Sequence, residues 1–136
     1  HLSYLKPIWN SLRTFPPQAV RVTVDDDPTV HVGEMVVVAN LRAYALNLGV
    51  VGTANGTDGV LDVRIFRTRT VWEMIGQFLN VVRGRQETSS EVIRLRGQRI
   101  RINSDSPVPM QADGDPAGMT PVEITVDPLA IEFLIP

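Results

Sequence analysis

The sequence predicts a mainly β protein, a β-sandwich of antiparallel strands with two flanking helices. Three observations predict it. Apolar residues alternate with polar ones in short stretches, as at Val20-Val22-Val24, Leu61-Val63-Ile65, Ile100-Ile102 and Val122-Ile124-Val126, which is the period of a half-buried strand. Turn formers such as Asn55-Gly56, Asp58-Gly59 and Asp127-Pro128 separate these stretches. Helical spacing recurs in only two places, so strands dominate, with about eight or nine of them expected.

All 136 residues read as one domain, long enough to bury a core. Apolar residues are 43% and charged residues 21% of the chain, ordinary for a globular protein. A net charge of −2 gives no pull toward nucleic acid. With no cysteine, disulfides and thiolate metal sites are excluded. Only His1, which opens the chain, and His31 offer imidazole, which argues against a histidine zinc site or a Ser-His-Asp triad. No apolar run approaches the ~18 residues of a membrane span, and no signal-peptide pattern is visible. The expectation is a soluble, cytoplasmic-type domain.

The elements follow in chain order. Leu2, Leu5, Ile8, Trp9 and Leu12 are spaced for a helix that Phe15-Pro16-Pro17 stops. Val20 to Val24 is a strand. Asp25-Asp26-Asp27-Pro28 reads as a solvated turn rather than a cation site, since nothing converges its carboxylates. Val30 to Ala39 restarts as one strand. Its unbroken run Met35-Val36-Val37-Val38-Ala39 predicts a strand covered on both faces, hence central in its sheet. His31 falls in the alternating part and reads as a surface residue. Asn40 to Gly59 is irregular, and Val60 to Phe66 is a strand with Leu61, Val63 and Ile65 on one face.

Thr70-Val71-Trp72-Glu73 is a capping box that opens the second helix. Val71, Met74, Ile75, Phe78, Leu79 and Val82 form its apolar stripe, and Gly84 ends it. Glu91 to Arg96 and Arg99 to Asn103 read as two strands joined in a hairpin across Gly97-Gln98. Ile93, Leu95, Ile100 and Ile102 share one face, and Arg94, Arg96, Arg99 and Arg101 the other. That arginine face either meets phosphates or an anionic membrane surface, or is the polar face that the strand period imposes anyway. A last hairpin pairs Val122–Val126 with Leu129–Ile135.

The stretch from Val108 to Val126 carries the candidate chemistry. Asp113 and Asp115 bracket Gly114 and precede Pro116, a natural turn between two short strands. On position alone this is a solvated hairpin tip. Such a tip can also carry side chains to a neighbouring domain or ligand.

Several pieces, in order, resemble the C-terminal domain of the diacylglycerol kinase and sphingosine kinase-like lipid kinases. They are Val37-Val38-Ala39-Asn40, Thr57-Asp58-Gly59-Val60-Leu61-Asp62-Val63, Arg83-Gly84-Arg85, Arg99-Ile100-Arg101-Ile102, Ala112-Asp113-Gly114-Asp115-Pro116 and Thr120-Pro121-Val122 with the closing LAIEFLIP. The resemblance implies a β-sandwich of the kind shared with NAD kinase, closing over an N-terminal domain that binds ATP through a Gly-Gly-Asp-Gly-Thr motif. That motif is absent from these residues, so the fragment alone is expected to be inactive.

The implied activity is transfer of the ATP γ-phosphoryl group to a hydroxyl of a lipid such as diacylglycerol. By resemblance, Asp113 is the carboxylate that takes the hydroxyl proton. Asp115 matches a position that is usually Glu, one methylene longer. Asp58, with the Val60 carbonyl and an upstream carbonyl, matches a structural Mg²⁺ site. The implied partners are the lipid, the nucleotide-binding domain and peripheral membrane contact, with an oligomer left open and no nucleic acid. One departure concerns Leu41 to Leu48, where the family tends to be glycine-rich, so lipid preference does not carry over. The competing reading is a non-enzymatic β-sandwich that binds a lipid or a protein. A more remote one is NAD kinase itself.

Overall fold

The computed structural model describes residues 18–41, 54–68, 70, 72–73, 76, 92–113, 115–128 and 130. Nine strands lie within them, and every pairing is antiparallel. The first sheet has β1 (Val20–Val24) between β2 (His31–Gly33) and β6 (Arg99–Ser104), with β9 (Val122–Thr125) beyond β6. The second places β4 (Leu61–Phe66) between β3 (Met35–Ala39) and β5 (Val92–Gly97). A separate two-stranded ribbon is made of β7 (Pro109–Ala112) and β8 (Asp115–Met119).

The expected alternation builds the core. Val20, Val22, Ile100 and Ile102 of the four-stranded sheet meet Leu61, Val63 and Ile65 of the three-stranded one, all buried. Ile93, Leu95, Val122 and Ile124 pack around them, partly buried. Each fully buried aliphatic side chain contributes about 1.5–3 kcal/mol relative to exposure, so this double layer holds the sandwich closed.

Two corners differ from the sequence reading. The expected hairpin across Gly97-Gln98 does not form: β5 pairs with β4, while β6 pairs with β1 and β9. The chain crosses there from one sheet to the other. Alternation alone does not distinguish the two, because Ile93-Leu95 and Ile100-Ile102 face the core in either case. The residue that decides is Asp25. Its Oδ1 accepts the N–H groups of Gln98 and Arg99, both at 2.8 Å, and its own N–H donates to the Arg99 carbonyl at 2.7 Å. Asp25 takes a left-handed φ of 53° to do so, a conformation that Asp tolerates better than most residues. The acidic turn is exposed, as expected, and its first carboxylate also clamps the corner.

The expected single strand Val30–Ala39 likewise breaks at Glu34 into β2 and β3, one in each sheet. The Glu34 N–H donates to the Phe66 carbonyl at 3.0 Å, and its Oε2 accepts the Thr68 N–H at 2.7 Å. A glycine sits at each crossing because another element presses on it. A Cβ on Gly33 would overlap Ile65 Cγ2 and lie 2.8 Å from the Phe66 carbonyl oxygen. One on Gly97 would overlap Val24 Cγ1 and lie 2.7 Å from Asp25 Oδ2.

The central strand is also not the one expected. Among the described residues β3 pairs only with β4, and its five residues are half-buried. The strand covered on both faces is β4. Its sequence hides this, because Asp62 and Arg64 interrupt the apolar run. Both are buried on the face away from the core, on the same side as Phe66, which packs with Val92, Met35 and Val37. They remain tolerable there by facing each other, Arg64 Nη1 to Asp62 Oδ1 at 3.6 Å, since a buried charge without a counter-charge costs several kcal/mol.

The first expected helix lies outside the described residues, as does all but Ala130 of the Leu129–Ile135 half of the last hairpin, and Ala130 is exposed and not in a strand. Of the second helix, Trp72, Glu73 and Gly76 are helical, and the Glu73 N–H donates to Thr70 Oγ1 at 3.2 Å, one half of the capping box.

The corner at Gly97 yields a direct expectation. Gly97→Ala forces Val24 or the Asp25 clamp to move, and overpacking of this kind costs about 1–3 kcal/mol. Urea unfolding should show that loss, whereas a variant as stable as wild type would mean that the corner gives way freely.

Candidate functional site

The β7–β8 ribbon is an excursion between neighbouring strands. It leaves the end of β6 and returns into β9, and those two strands pair directly, Ile102 opposite Val122. Its tip is a two-residue loop, with Ala112 paired to Asp115 and Asp113-Gly114 between them. Asp113 has a φ of 51°, the left-handed value that a tight hairpin loop demands and that Asp adopts with little strain. Asp113 and Asp115 are both exposed, so the tip brings the two expected acids together and turns both to solvent.

Below the tip the ribbon is irregular. Met110 pairs with Gly118 but Gln111 with Pro116, which leaves Ala117 as an extra residue, and Gly118 has a φ of 103°. Such a bulge raises the local twist and re-aims whatever lies beyond it. Every described residue of β8 is exposed, and Met119 is 53% exposed. Thus, among the described residues, neither a ladder to a sheet nor a core of its own fixes the ribbon.

Its root is fixed instead. Val108 packs against the core, and opposite it Thr120 is buried. The Thr120 N–H donates to the Val108 carbonyl at 3.0 Å, while Thr120 Oγ1 accepts the Val108 N–H at 2.8 Å and also pairs with Ser104 Oγ. Thr120 entered the sequence reading only as part of the Thr-Pro-Val resemblance. Its sequence gives no other signal, since a lone Thr before Pro usually reads as an ordinary loop residue.

Asp58 lies on the loop that enters β4. Its Oδ1 accepts the Val60 N–H at 3.2 Å, its own N–H donates to the Asn55 carbonyl at 3.2 Å, and its Oδ2 is bound by Arg96 Nη2. Arg96 Nε also reaches Asp62 Oδ2 at 3.3 Å. The arginine thus bridges an exposed carboxylate and a buried one. Among the described residues no three or more His, Cys, Asp or Glu converge as metal ligands. The donor set for Mg²⁺ is accordingly thin: one carboxylate, shared with a guanidinium, plus backbone carbonyls. A carboxylate has about four lone-pair sites, so Asp58 keeps lone pairs beyond those that Arg96 and the Val60 N–H use. No described contact joins Asp58 to Asp113.

The four arginines do not share one ribbon face. Arg94 and Arg96 belong to the three-stranded sheet, and Arg99 and Arg101 to the four-stranded one; their neighbouring isoleucines point inward, so each pair faces away from the core. Arg101 Nε meets Glu123 Oε2 at 2.7 Å and Arg99 Nη1 meets Asp26 Oδ1 at 3.6 Å. Arg21 likewise binds Asp105 at 2.5 Å, and that hydrogen bond and the guanidinium charge hold the Asp105 carboxyl below the usual carboxylate range. Local acids pair with these side chains, which stay partly exposed. Between the sheets at one end, Asp27, Thr29, His31 and Arg96 line a shallow hollow with Asp25. The Asp27 carboxyl there is held low by hydrogen bonds from the Thr29 hydroxyl and N–H, which makes it part of a local turn.

Similarity to known proteins agrees with this geometry. Residues 1–135 match the family model described as the YegS C-terminal NAD kinase beta sandwich-like domain. A diacylglycerol kinase of Mycobacterium tuberculosis is 27% identical over 97 residues, 71% of this chain and 31% of that protein. An uncharacterized protein of Synechocystis is 23% identical over 123 residues, covering 85% of this chain and 28% of that protein. The crystal structure of a diacylglycerol kinase from Bacillus anthracis superposes with a TM-score of 0.66 at 16% identity, over 90% of this chain and 42% of that one. The chain therefore spans under a third of the length of these curated relatives. With the double-layered sandwich, the excursion between β6 and β9 and a match along nearly its whole length, the chain belongs to the YegS C-terminal β-sandwich family of diacylglycerol kinase-like proteins.

Proposed function

We propose that this domain is the lipid-binding and proton-accepting part of an ATP-dependent lipid kinase, with a lipid such as diacylglycerol as acceptor. The observation that carries the reading is the exposed pair Asp113 and Asp115 at the tip of a ribbon that neither sheet covers. The kinase names of its relatives add to it. ATP is bound chiefly by a nucleotide-binding domain, which the resemblance implies as the partner of this one.

Phosphoryl transfer asks little covalent chemistry of a protein; it needs reactants in line and charge balanced. In the proposed step, the lipid hydroxyl oxygen forms a bond to the γ-phosphorus as the bond from that phosphorus to the ADP oxygen breaks. The hydroxyl proton passes to the Asp113 carboxylate. Asp115, next to it across the tip, favours the proton's arrival by its negative charge and helps orient the hydroxyl. A carboxylate base so placed works only within hydrogen-bond reach of that hydroxyl, about 2.6–3.2 Å. A tip that projects from its own domain is suited to reach substrate held in a cleft against another.

Mg²⁺ is proposed at two levels. With ATP it would neutralise phosphate charge, the chemistry that kinases draw from it. At Asp58 and the Val60 carbonyl it would only steady the loop that enters β4, in competition with Arg96.

Two outcomes are expected. Asp113→Asn in the full-length protein should lower lipid phosphorylation by about 10²–10⁴-fold, with ATP binding intact. Stability should change by no more than about 0.5 kcal/mol at this exposed position, where Asn also accepts the left-handed turn. Asp115→Ala should do less. Wild-type activity in both would remove the two carboxylates from the chemical step, and no lipid phosphorylation by the wild-type protein itself would favour a binding module over a kinase. For the metal, millimolar Mg²⁺ should shift the amide resonances of Thr57 to Leu61 weakly in wild type and more strongly in Arg96→Met, which removes the competing guanidinium. Resonances unmoved in both would remove Asp58 from the metal assignment.

A further inference from the structure

The ribbon that carries Asp113 poses a mechanical problem. Its described strands are exposed apart from half-buried Met110, among the described residues it pairs with neither sheet, and its bulge at Ala117-Gly118 raises its twist. A proton acceptor has to be held to within about an ångström, since a displacement of that size costs on the order of a hundredfold in rate. Something has to aim the ribbon.

The described ties lie at its root. Val108 enters the core on one side, and Thr120 is buried on the other. In an ordinary antiparallel rung, two residues exchange both N–H···O=C bonds through their backbones. Here the Thr120 N–H donates to the Val108 carbonyl, but the Val108 N–H is received by the Thr120 hydroxyl. A side chain thus completes the last rung. The same hydroxyl pairs with Ser104 Oγ at the end of β6, whose backbone is laddered to β1. The chain of contacts runs from the core sheet through Ser104 and Thr120 to both legs of the ribbon.

We propose that Thr120 is a positioning residue for the acid-bearing tip: its hydroxyl, shared between Ser104 Oγ and the Val108 N–H, sets the angle at which the β7–β8 ribbon leaves the sandwich. This rests on the proposed role of Asp113 for its catalytic consequence, but the anchoring itself does not. Thr120 touches no reacting atom. Removing the hydroxyl leaves the Val108 N–H, in a partly buried place, without its acceptor, and the ribbon swings to find water or another partner.

The test uses Thr120→Val, which keeps the shape and backbone bond and loses the hydroxyl, beside Thr120→Ser, which keeps the hydroxyl. Both are made in the full-length protein and read by hydrogen exchange and by steady-state kinetics with diacylglycerol vesicles and ATP. Thr120→Val should speed exchange at the β7 and β8 amides while β1 and β6 stay as protected as in wild type. It should lower kcat about tenfold to a hundredfold with KM for ATP unchanged, and Thr120→Ser should restore most of both. Wild-type kcat and ribbon protection in Thr120→Val would overturn the proposal. So would a loss in Thr120→Ser as large as in Thr120→Val, or equal loosening of β1 and β6, since either would mark general packing. If the wild-type protein phosphorylates no lipid, the kinase reading fails, and hydrogen exchange alone decides the anchor: a ribbon loosened only in Thr120→Val upholds it, and one unchanged overturns it.

Discussion

The two corners at which the chain passes from one sheet to the other constrain everything else in this domain. At each, a glycine admits a side chain or carbonyl that a Cβ would displace, and a carboxylate closes the turn: Asp25 on the Gln98 and Arg99 N–H groups, Glu34 on the Thr68 N–H. Because the crossing at Gly97 is fixed, β6 lies beside β1 rather than β5. Only then can Ile100 and Ile102 close over Leu61, Val63 and Ile65, and only then does β6 end at Ser104 next to the ribbon's root. Placement of the candidate site therefore descends from a carboxylate, Asp25, that lies far earlier in the chain than the ribbon.

Charge plays a second organising part on the far face of the three-stranded sheet. Asp62 and Arg64 are buried in its central strand, and Arg96 ties Asp62 to Asp58 on the entering loop. Buried ion pairs add little net stability over apolar residues of similar size, but losing one partner is costly. Such a pair penalises any register of β4 that separates the charges or turns them toward the core. On that face the strand is specified by these charges together with the packing of Phe66, and on the other by aliphatic packing.

Much of this was legible in the sequence, for identifiable reasons. Alternation at Val20–Val24, Leu61–Phe66 and Arg99–Asn103 marked strands and their inward residues, and these faces are the core. The Asp113-Gly114 pair marked a tight hairpin because few residues take a positive φ cheaply. What escaped was non-local. Hairpin and sheet crossing look alike at Gly97-Gln98, since the difference lies in a carboxylate 73 residues earlier. The unbroken apolar run chose β3 as the central strand, whereas β4 held that place under the disguise of two charges that cancel. Thr120 escaped because its function is a hydroxyl's reach across a hairpin root, which no local pattern encodes.

These features support a view of the domain as a rigid double layer that aims a slender, acid-tipped arm. The central claim is that Asp113 meets the acceptor hydroxyl, and a structure tests it most directly. The full-length protein would be crystallised with a non-hydrolysable ATP analogue and a short-chain diacylglycerol. The account predicts an Asp113 carboxylate oxygen within about 3.2 Å of the lipid hydroxyl, in line with the γ-phosphorus. A tip that stays in solvent, with the hydroxyl held by another carboxylate, would contradict it.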